Sequence, residues 1–167
     1  MEKSWNPNFH LVIHNRSSEN LNSGDILYIK ELIKRDYPIT LVNLSLQYEE
    51  YIPFLRQFDI GLAMYVPYTS DSHYDGKNFA EIGYSSGKFN TYLMLGLPAL
   101  VTENRSFLEL ALEFDYGYVF GEFDEIPRLL EKIMNNYTHH ASEALRLYTQ
   151  KMNPDMFMGE YIKALCS

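Results

Sequence analysis

The chain has 167 residues, a net charge of −8, 46% hydrophobic residues and 22% charged residues. This length is typical of a single domain with a full core, and the composition excludes long disorder. An acidic chain has no overall positive electrostatic field to attract nucleic acid or an anionic membrane. A phosphate ligand would therefore need local cations and the amides at the start of a helix. The single cysteine excludes a disulfide framework, and a polar first segment without a signal core predicts a cytoplasmic protein.

Apolar runs and helical patterns alternate along the first half of the chain. Residues 9–14 and 39–44 are mostly apolar, as in strands that are buried on both faces. A helical pattern lies between them, with one apolar face formed by Ile26, Ile29, Leu32 and Ile33. A second helix is predicted over residues 48–58 and a third strand over residues 59–65.

A long polar stretch follows at residues 66–84, and a loop of this length inside a compact domain is usually functional. We assign its charged side chains to a loop over a ligand site rather than to a metal centre. They are Asp71, His73, Asp75 and Lys77.

The second half continues the alternation. Strands are predicted at residues 99–102 and 116–120, with helices at 86–95 and 106–114. A further helix carries the stripe Ile126, Leu129, Leu130 and Ile133, and the tail from His139 is predicted as two helices broken at Asn153-Pro154. The pattern predicts one α/β domain with five or six parallel strands in a Rossmann-like sheet and helices on both faces. Ligands of such sheets bind outside the carboxyl ends of the strands.

Ser85-Ser86-Gly87-Lys88 opens the helix at residues 86–95. The first amides of a helix lack internal partners and carry partial positive charge, so hydroxyls, a glycine and a lysine there favour a phosphate. The alternative is a serine that caps the helix beside a solvated lysine.

Ser106-Phe107-Leu108-Glu109 has the spacing of a capping box. In that interpretation Ser106 caps a helix and the Glu109 side chain bonds back to the cap. The alternative is that Glu109 belongs to a ligand site.

The run Ser-Gly-Lys-Phe-Asn-Thr-Tyr-Leu-Met-Leu-Gly-Leu-Pro-Ala-Leu-Val-Thr at residues 86–102 resembles the signature segment of GT-B glycosyltransferases, similar to family 4 (group 1). Glu109-Leu110 matches the Glu-Leu that follows the signature there, and Phe58-Asp59-Ile60-Gly61-Leu62 matches the strand before it. The order of elements agrees from about residue 9 to residue 133. The resemblance therefore covers most of the chain.

The resemblance implies the donor-binding domain of an enzyme that transfers a sugar from a nucleotide-sugar in bacterial surface polysaccharide biosynthesis. The strand ends near Asn43-Leu44 and Met64-Tyr65 would flank the base, and the loop at residues 102–107 would approach the donor. The nucleotide-sugar-binding candidates are Ser85, Ser86, Gly87, Lys88, Thr91, Glu109, Arg16 and Arg105. For Arg16, a solvated loop position remains the alternative.

One position departs from the family pattern. Thr91 stands where many relatives carry the glutamate that grips the ribose, and a neutral hydroxyl cannot act as a carboxylate acceptor for two ribose hydroxyls. Either the ribose is held otherwise, or the chain belongs to a branch with this version of the motif.

No metal and no resident cofactor is expected, since enzymes of this family generally need no bound metal. His139-His140 lacks ligand spacing on a regular element, and we expect both side chains on the solvated surface.

The resemblance also implies a second Rossmann-like domain as partner, because the acceptor and usually the catalytic base come from the other half of a GT-B enzyme. No catalytic residue is assigned here. The isolated domain is expected to bind the donor but to transfer the sugar poorly. The full enzyme is expected in the cytoplasm, at most as a peripheral membrane protein. A sugar-nucleotide epimerase-like half and a non-catalytic α/β binding module remain alternatives.

Overall fold

The computed structural model describes residues 6–15, 24–65 and 82–166. The chain forms two compact units, Met1–Gln57 and Phe58–Ser167. The expectation that the whole chain is one domain stays a prediction. The loop residues Asp71, His73, Asp75 and Lys77, together with Arg16, lie outside the described residues.

The first unit contains two parallel strands and two helices. Strand β1 (Leu11–Asn15) pairs with β2 (Ile39–Asn43), with Leu11 opposite Ile39 and Asn15 opposite Asn43. Helix α1 (Gly24–Lys34) lies between them in the chain and contacts β2. Helix α2 (Tyr48–Leu55) follows β2 and begins with reciprocal capping between Gln47 and Glu50. A parallel pair joined by a helix is the unit that the alternating pattern predicts.

The second unit is built on three parallel strands in the order β3-β4-β5. These are β3 (Gly61–Ala63), β4 (Ala99–Thr102) and β5 (Gly117–Phe120). The helices between and after them are α3 (Gly87–Met94), α4 (Arg105–Glu113), α5 (Ile126–Asn135), α6 (Tyr137–Leu147) and α7 (Asp155–Leu165). Short 3-10 turns at Gly83–Ser85 and Phe123–Glu125 precede α3 and α5, and a π-helical turn at Tyr148–Met152 follows α6.

The central strand β4 is buried on both faces. Ala99, Leu100 and Val101 are fully enclosed, which explains why this run is continuously apolar in the sequence. Ala99 and Val101 pack into a cluster with Phe89 of α3 and Phe107 of α4. The α5 stripe is buried as predicted, and α5 contacts β4 and β5.

Gly117 is required by the close approach of β5 to β4. Its φ is +139°, and a Cβ at this position would lie 2.1 Å from the carbonyl oxygen of Ala99. Any side chain would therefore force the two paired strands apart. The residue before it, Tyr116, is buried, and its hydroxyl donates to the carbonyl of Phe107 at 3.0 Å.

The α/β class with parallel strands is confirmed, but the strand count within one sheet is not. The described residues form two separate parallel sheets, of two and three strands, instead of one sheet of five or six. The apolar pattern of a strand records that its faces are buried, whereas it contains no information about which edge pairs with which neighbour. Strand pairing was therefore beyond what the pattern could predict.

Candidate functional site

Two helices begin at the carboxyl edge of the three-stranded sheet. Tyr65 lies just beyond β3, and its backbone N–H donates to the Oγ1 of Thr102, the last residue of β4, at 2.9 Å. The Thr102 hydroxyl donates in turn to the Tyr65 carbonyl at 3.2 Å. Ser86 caps α3 and Asn104 caps α4, and the Tyr65 side chain contacts the first turns of both helices. The candidate site is this edge, where parallel α/β sheets bind their ligands.

Ser86 is enclosed, with 1% of its surface exposed. Its Oγ accepts from the Phe89 N–H at 3.1 Å, as a helix N-cap does, and it also hydrogen-bonds the Tyr65 hydroxyl. Burial raises the pKa of the Tyr65 phenol above its ordinary value, and the bond to Ser86 lowers it by a smaller amount. The Tyr65 phenol is therefore neutral at physiological pH, and both hydroxyls are engaged within the protein.

Gly87 and Lys88 are exposed at the first turn of α3. Within the described part of the chain, neither backbone amide donates to an acceptor. A Cβ added at Gly87 would meet no atom within 4 Å, so the surface beside this residue is uncrowded. The Lys88 ammonium lies 4.9 Å from the centroid of the Tyr65 ring. Open amides beside a cation form a local positive region that can accept an anion.

Thr91 lies one turn further along α3. Its hydroxyl donates to the carbonyl of Gly87 at 2.8 Å, which is the back-bond that threonine commonly makes within helices. The hydroxyl oxygen keeps lone pairs that could accept from a ligand, but it provides no charge.

Glu109 pairs with Arg105 across one turn of α4. The Arg105 Nε donates to the Glu109 carboxylate at 2.9 Å, and both side chains are largely exposed. The capping box predicted for Ser106 and Glu109 is wrong, because α4 begins one residue earlier and its cap is Asn104, which accepts from the Phe107 N–H at 2.9 Å.

Ser85 belongs to the 3-10 turn before α3, and its hydroxyl donates to the Ile82 carbonyl at 2.7 Å. This turn packs closely on the start of α4, since a Cβ at Gly83 would lie 2.2 Å from the Cβ of Ser106. Arg16 cannot be placed, because it lies outside the described residues. Ser85, Ser86, Gly87, Lys88 and Thr91 thus lie together at the 3-10 turn and the start of α3, whereas Arg105 and Glu109 lie on α4.

The surface prediction for the histidine pair is wrong for His140. This side chain is 1% exposed, and its Nδ1 lies 2.8 Å from the carbonyl oxygen of Asp115. His139 is half-exposed, with its Nε2 2.9 Å from the Asp115 carboxylate. Adjacent residues of a helix point about 100° apart, so one can face the core while the other faces solvent. Among residues 6–15, 24–65 and 82–166, no group of three His, Cys, Asp or Glu side chains could hold a metal ion.

Sequence reasoning missed the roles of Thr102 and Asn104 at this edge. Asparagine is among the best N-cap residues, and its position three residues before Phe107 was a usable signal. No local signal could have revealed the bonds of Tyr65, because Ser86 is 21 residues away and Thr102 is 37 residues away.

No protein-family model matches the sequence, and no curated protein and no solved structure matches the chain significantly. In the part of the chain that the structure describes, no helix has the length and apolar character needed to cross a membrane.

Proposed function

We propose that this chain is the donor-binding half of a nucleotide-sugar glycosyltransferase. Its partner would be a second Rossmann-like domain that supplies the acceptor site and the catalytic base, and the product would belong to a bacterial surface polysaccharide. The finer fold implied is a Rossmann-like domain that forms one half of a GT-B enzyme. The order of motifs from residue 86 to Leu110 supports this assignment.

The observation that carries the proposal is the open first turn of α3 at the carboxyl edge of the sheet. The amides of Gly87 and Lys88 have no acceptor among the described residues, and the Lys88 ammonium lies over the ring of Tyr65, whose hydroxyl bonds the Ser86 cap of the same helix. A diphosphate would accept hydrogen bonds from the two amides and gain a full counter-charge from the lysine. This local region suits an acidic chain, which repels anions elsewhere.

The proposal gives the Ser86 hydroxyl a supporting task. Since its oxygen accepts from the Phe89 N–H, it uses one of the first-turn amides of α3 and leaves those of Gly87 and Lys88 for the ligand. Thr91 stands one turn away, where its remaining lone pairs can accept from a ribose hydroxyl. Arg105 and Glu109 are paired with each other across one turn of α4, so their charges largely offset each other at this edge.

The test is a calorimetric titration with UDP, GDP, ADP and CMP, alone and sugar-linked. We expect one diphosphate to bind and Lys88→Ala to weaken it about five-fold or more, because an exposed charge-assisted contact contributes about 1 kcal/mol. The matched control is Lys132→Ala, because Lys132 also lies over a tyrosine ring, with its Nζ 5.6 Å from the Tyr118 centroid.

The control variant should bind like the wild type, and raised salt should weaken binding to the wild type more than to Lys88→Ala. A folded protein that binds none of these compounds would refute the proposal. Equal loss in the two lysine variants would show that only net charge matters and would refute the assignment of the site.

A further inference from the structure

Tyr65 joins the elements that surround the open turn of α3. Its backbone is bonded in both directions to the Thr102 hydroxyl at the end of β4. Its hydroxyl bonds the Ser86 cap of α3, and its ring stacks on Phe107 of α4 with centroids 6.1 Å apart. Backbone, hydroxyl and ring are thus each held by a different partner, which fixes the plane and position of the ring.

The Lys88 ammonium lies over this fixed ring, 4.9 Å from its centroid. A cation within about 6 Å of an aromatic face is attracted by the ring quadrupole. Lysine has a flexible four-carbon stem and no fixed direction for its donors. Contact with a ring that is held by its own hydrogen bonds and packing therefore limits the region that the ammonium occupies.

We propose that Tyr65 is the positioning residue of this site: its ring holds the Lys88 ammonium next to the open amides of Gly87 and Lys88. The inference rests on the proposed function, because the anion that the positioned ammonium would bind is the diphosphate of the donor. The ring performs this task and the hydroxyl does not, since the hydroxyl is already engaged by Ser86. Ordering the lysine before the ligand arrives reduces the entropy lost on binding.

The decisive comparison is between variants that keep the ring and variants that lose it. Tyr65→Phe removes the hydroxyl but keeps the ring, which the backbone and Phe107 still hold, so it should lose less affinity than Tyr65→Leu. Tyr65→Leu removes the ring and should weaken binding about two- to five-fold, the range expected for an exposed cation–π contact. The probes are UDP, GDP, ADP and inorganic pyrophosphate, and folding of each variant is checked by circular dichroism.

A double-mutant cycle separates positioning from general damage. In the Lys88→Ala background, Tyr65→Leu should cause no further loss of affinity, because the group that the ring positions is absent. An additive loss would overturn the inference even if the diphosphate binds. Where Tyr65→Leu does not fold, Tyr65→Met, which also lacks a ring, takes its place in the cycle.

A measurement without ligand keeps the inference distinct from the proposed function. The ring current of Tyr65 should shift the proton resonances of the Lys88 side chain upfield in the free protein. The shift should persist in Tyr65→Phe and disappear in Tyr65→Leu. If no probe binds the wild type, the proposed function is refuted, and the ring-current comparison still decides whether Tyr65 fixes Lys88. Lys88 resonances at random-coil values would overturn the inference by themselves.

Discussion

Replacing Ser86 by alanine tests the tertiary role that the structure gives to this residue. The Ser86 Oγ accepts from the Phe89 N–H at 3.1 Å and bonds the Tyr65 hydroxyl, in a position that is 1% exposed. Alanine removes both bonds at once and leaves the Phe89 amide and the Tyr65 hydroxyl without this partner. We expect Ser86→Ala to lower the free energy of unfolding of the second unit.

The magnitude follows from the two lost bonds. Loss of a serine N-cap costs about 1 kcal/mol, and a partly buried hydroxyl without its partner costs about 1 kcal/mol more. The expected loss for Ser86→Ala is therefore about 2 kcal/mol. Tyr65→Phe should cost about 1 kcal/mol, and the double variant about 2 kcal/mol, since the bond between the two side chains is lost only once.

The assay is urea denaturation of the four proteins of this cycle, followed by circular dichroism, with the slope of the transition checked for constancy. A coupling free energy of about 1 kcal/mol between Ser86 and Tyr65 is expected. Strictly additive losses, or a loss below about 0.5 kcal/mol in Ser86→Ala, would show that the cap and the hydroxyl bond are not formed together. The description of Ser86 as an internal residue would then be wrong.

Two further predictions concern other parts of the second unit. Gly117→Ala should destabilise it by about 3 kcal/mol or more in urea denaturation, because its φ of +139° and the nearby Ala99 carbonyl exclude a Cβ. The control is Gly159→Ala, in open space on α7, which should instead raise the free energy of unfolding by up to about 1 kcal/mol. A similar loss of stability in both variants would contradict this reasoning. The hydrogen bonds from Arg146 lower the pKa of Glu143 below its ordinary 4.5, so their stabilisation is full above that pH and is lost as the pH falls through the folded-state pKa. Glu143→Gln should therefore flatten the acid side of the stability-versus-pH curve measured by thermal unfolding, and an unchanged curve would contradict the assignment.

Most of the elements could be predicted from the sequence, because their signals are local. Strand β4 was predicted at its observed bounds, since three consecutive apolar residues followed a glycine and a proline. Helix α5 was predicted from four apolar residues at helical spacing, and all four are buried. The start of α4 was predicted one residue late, because Ser106 competed with the better cap at Asn104.

The candidate site was less predictable than the elements that form it. Lys88 was identified by its place at a helix start, which is a local feature. The contact that holds it was not, because the Tyr65 ring comes from a strand end 23 positions earlier. His140 shows the same limit: its Nδ1 is bonded to the carbonyl of Asp115, 25 residues away, and nothing in the His139-His140 pair indicates which ring is buried.

The sequence by itself determined the alternation of strands and helices, the apolar faces that build the core, and the lysine at the opening of α3. These follow from periodicity, caps and glycines, which act within a few residues of chain. Only the tertiary structure decided which strands pair, that the Ser86 hydroxyl is directed inward, and that Tyr65 lies beneath Lys88. Those outcomes depend on contacts between residues that are distant in the chain. Buried polar groups must be hydrogen-bonded, and the folded structure decides which distant group is the partner.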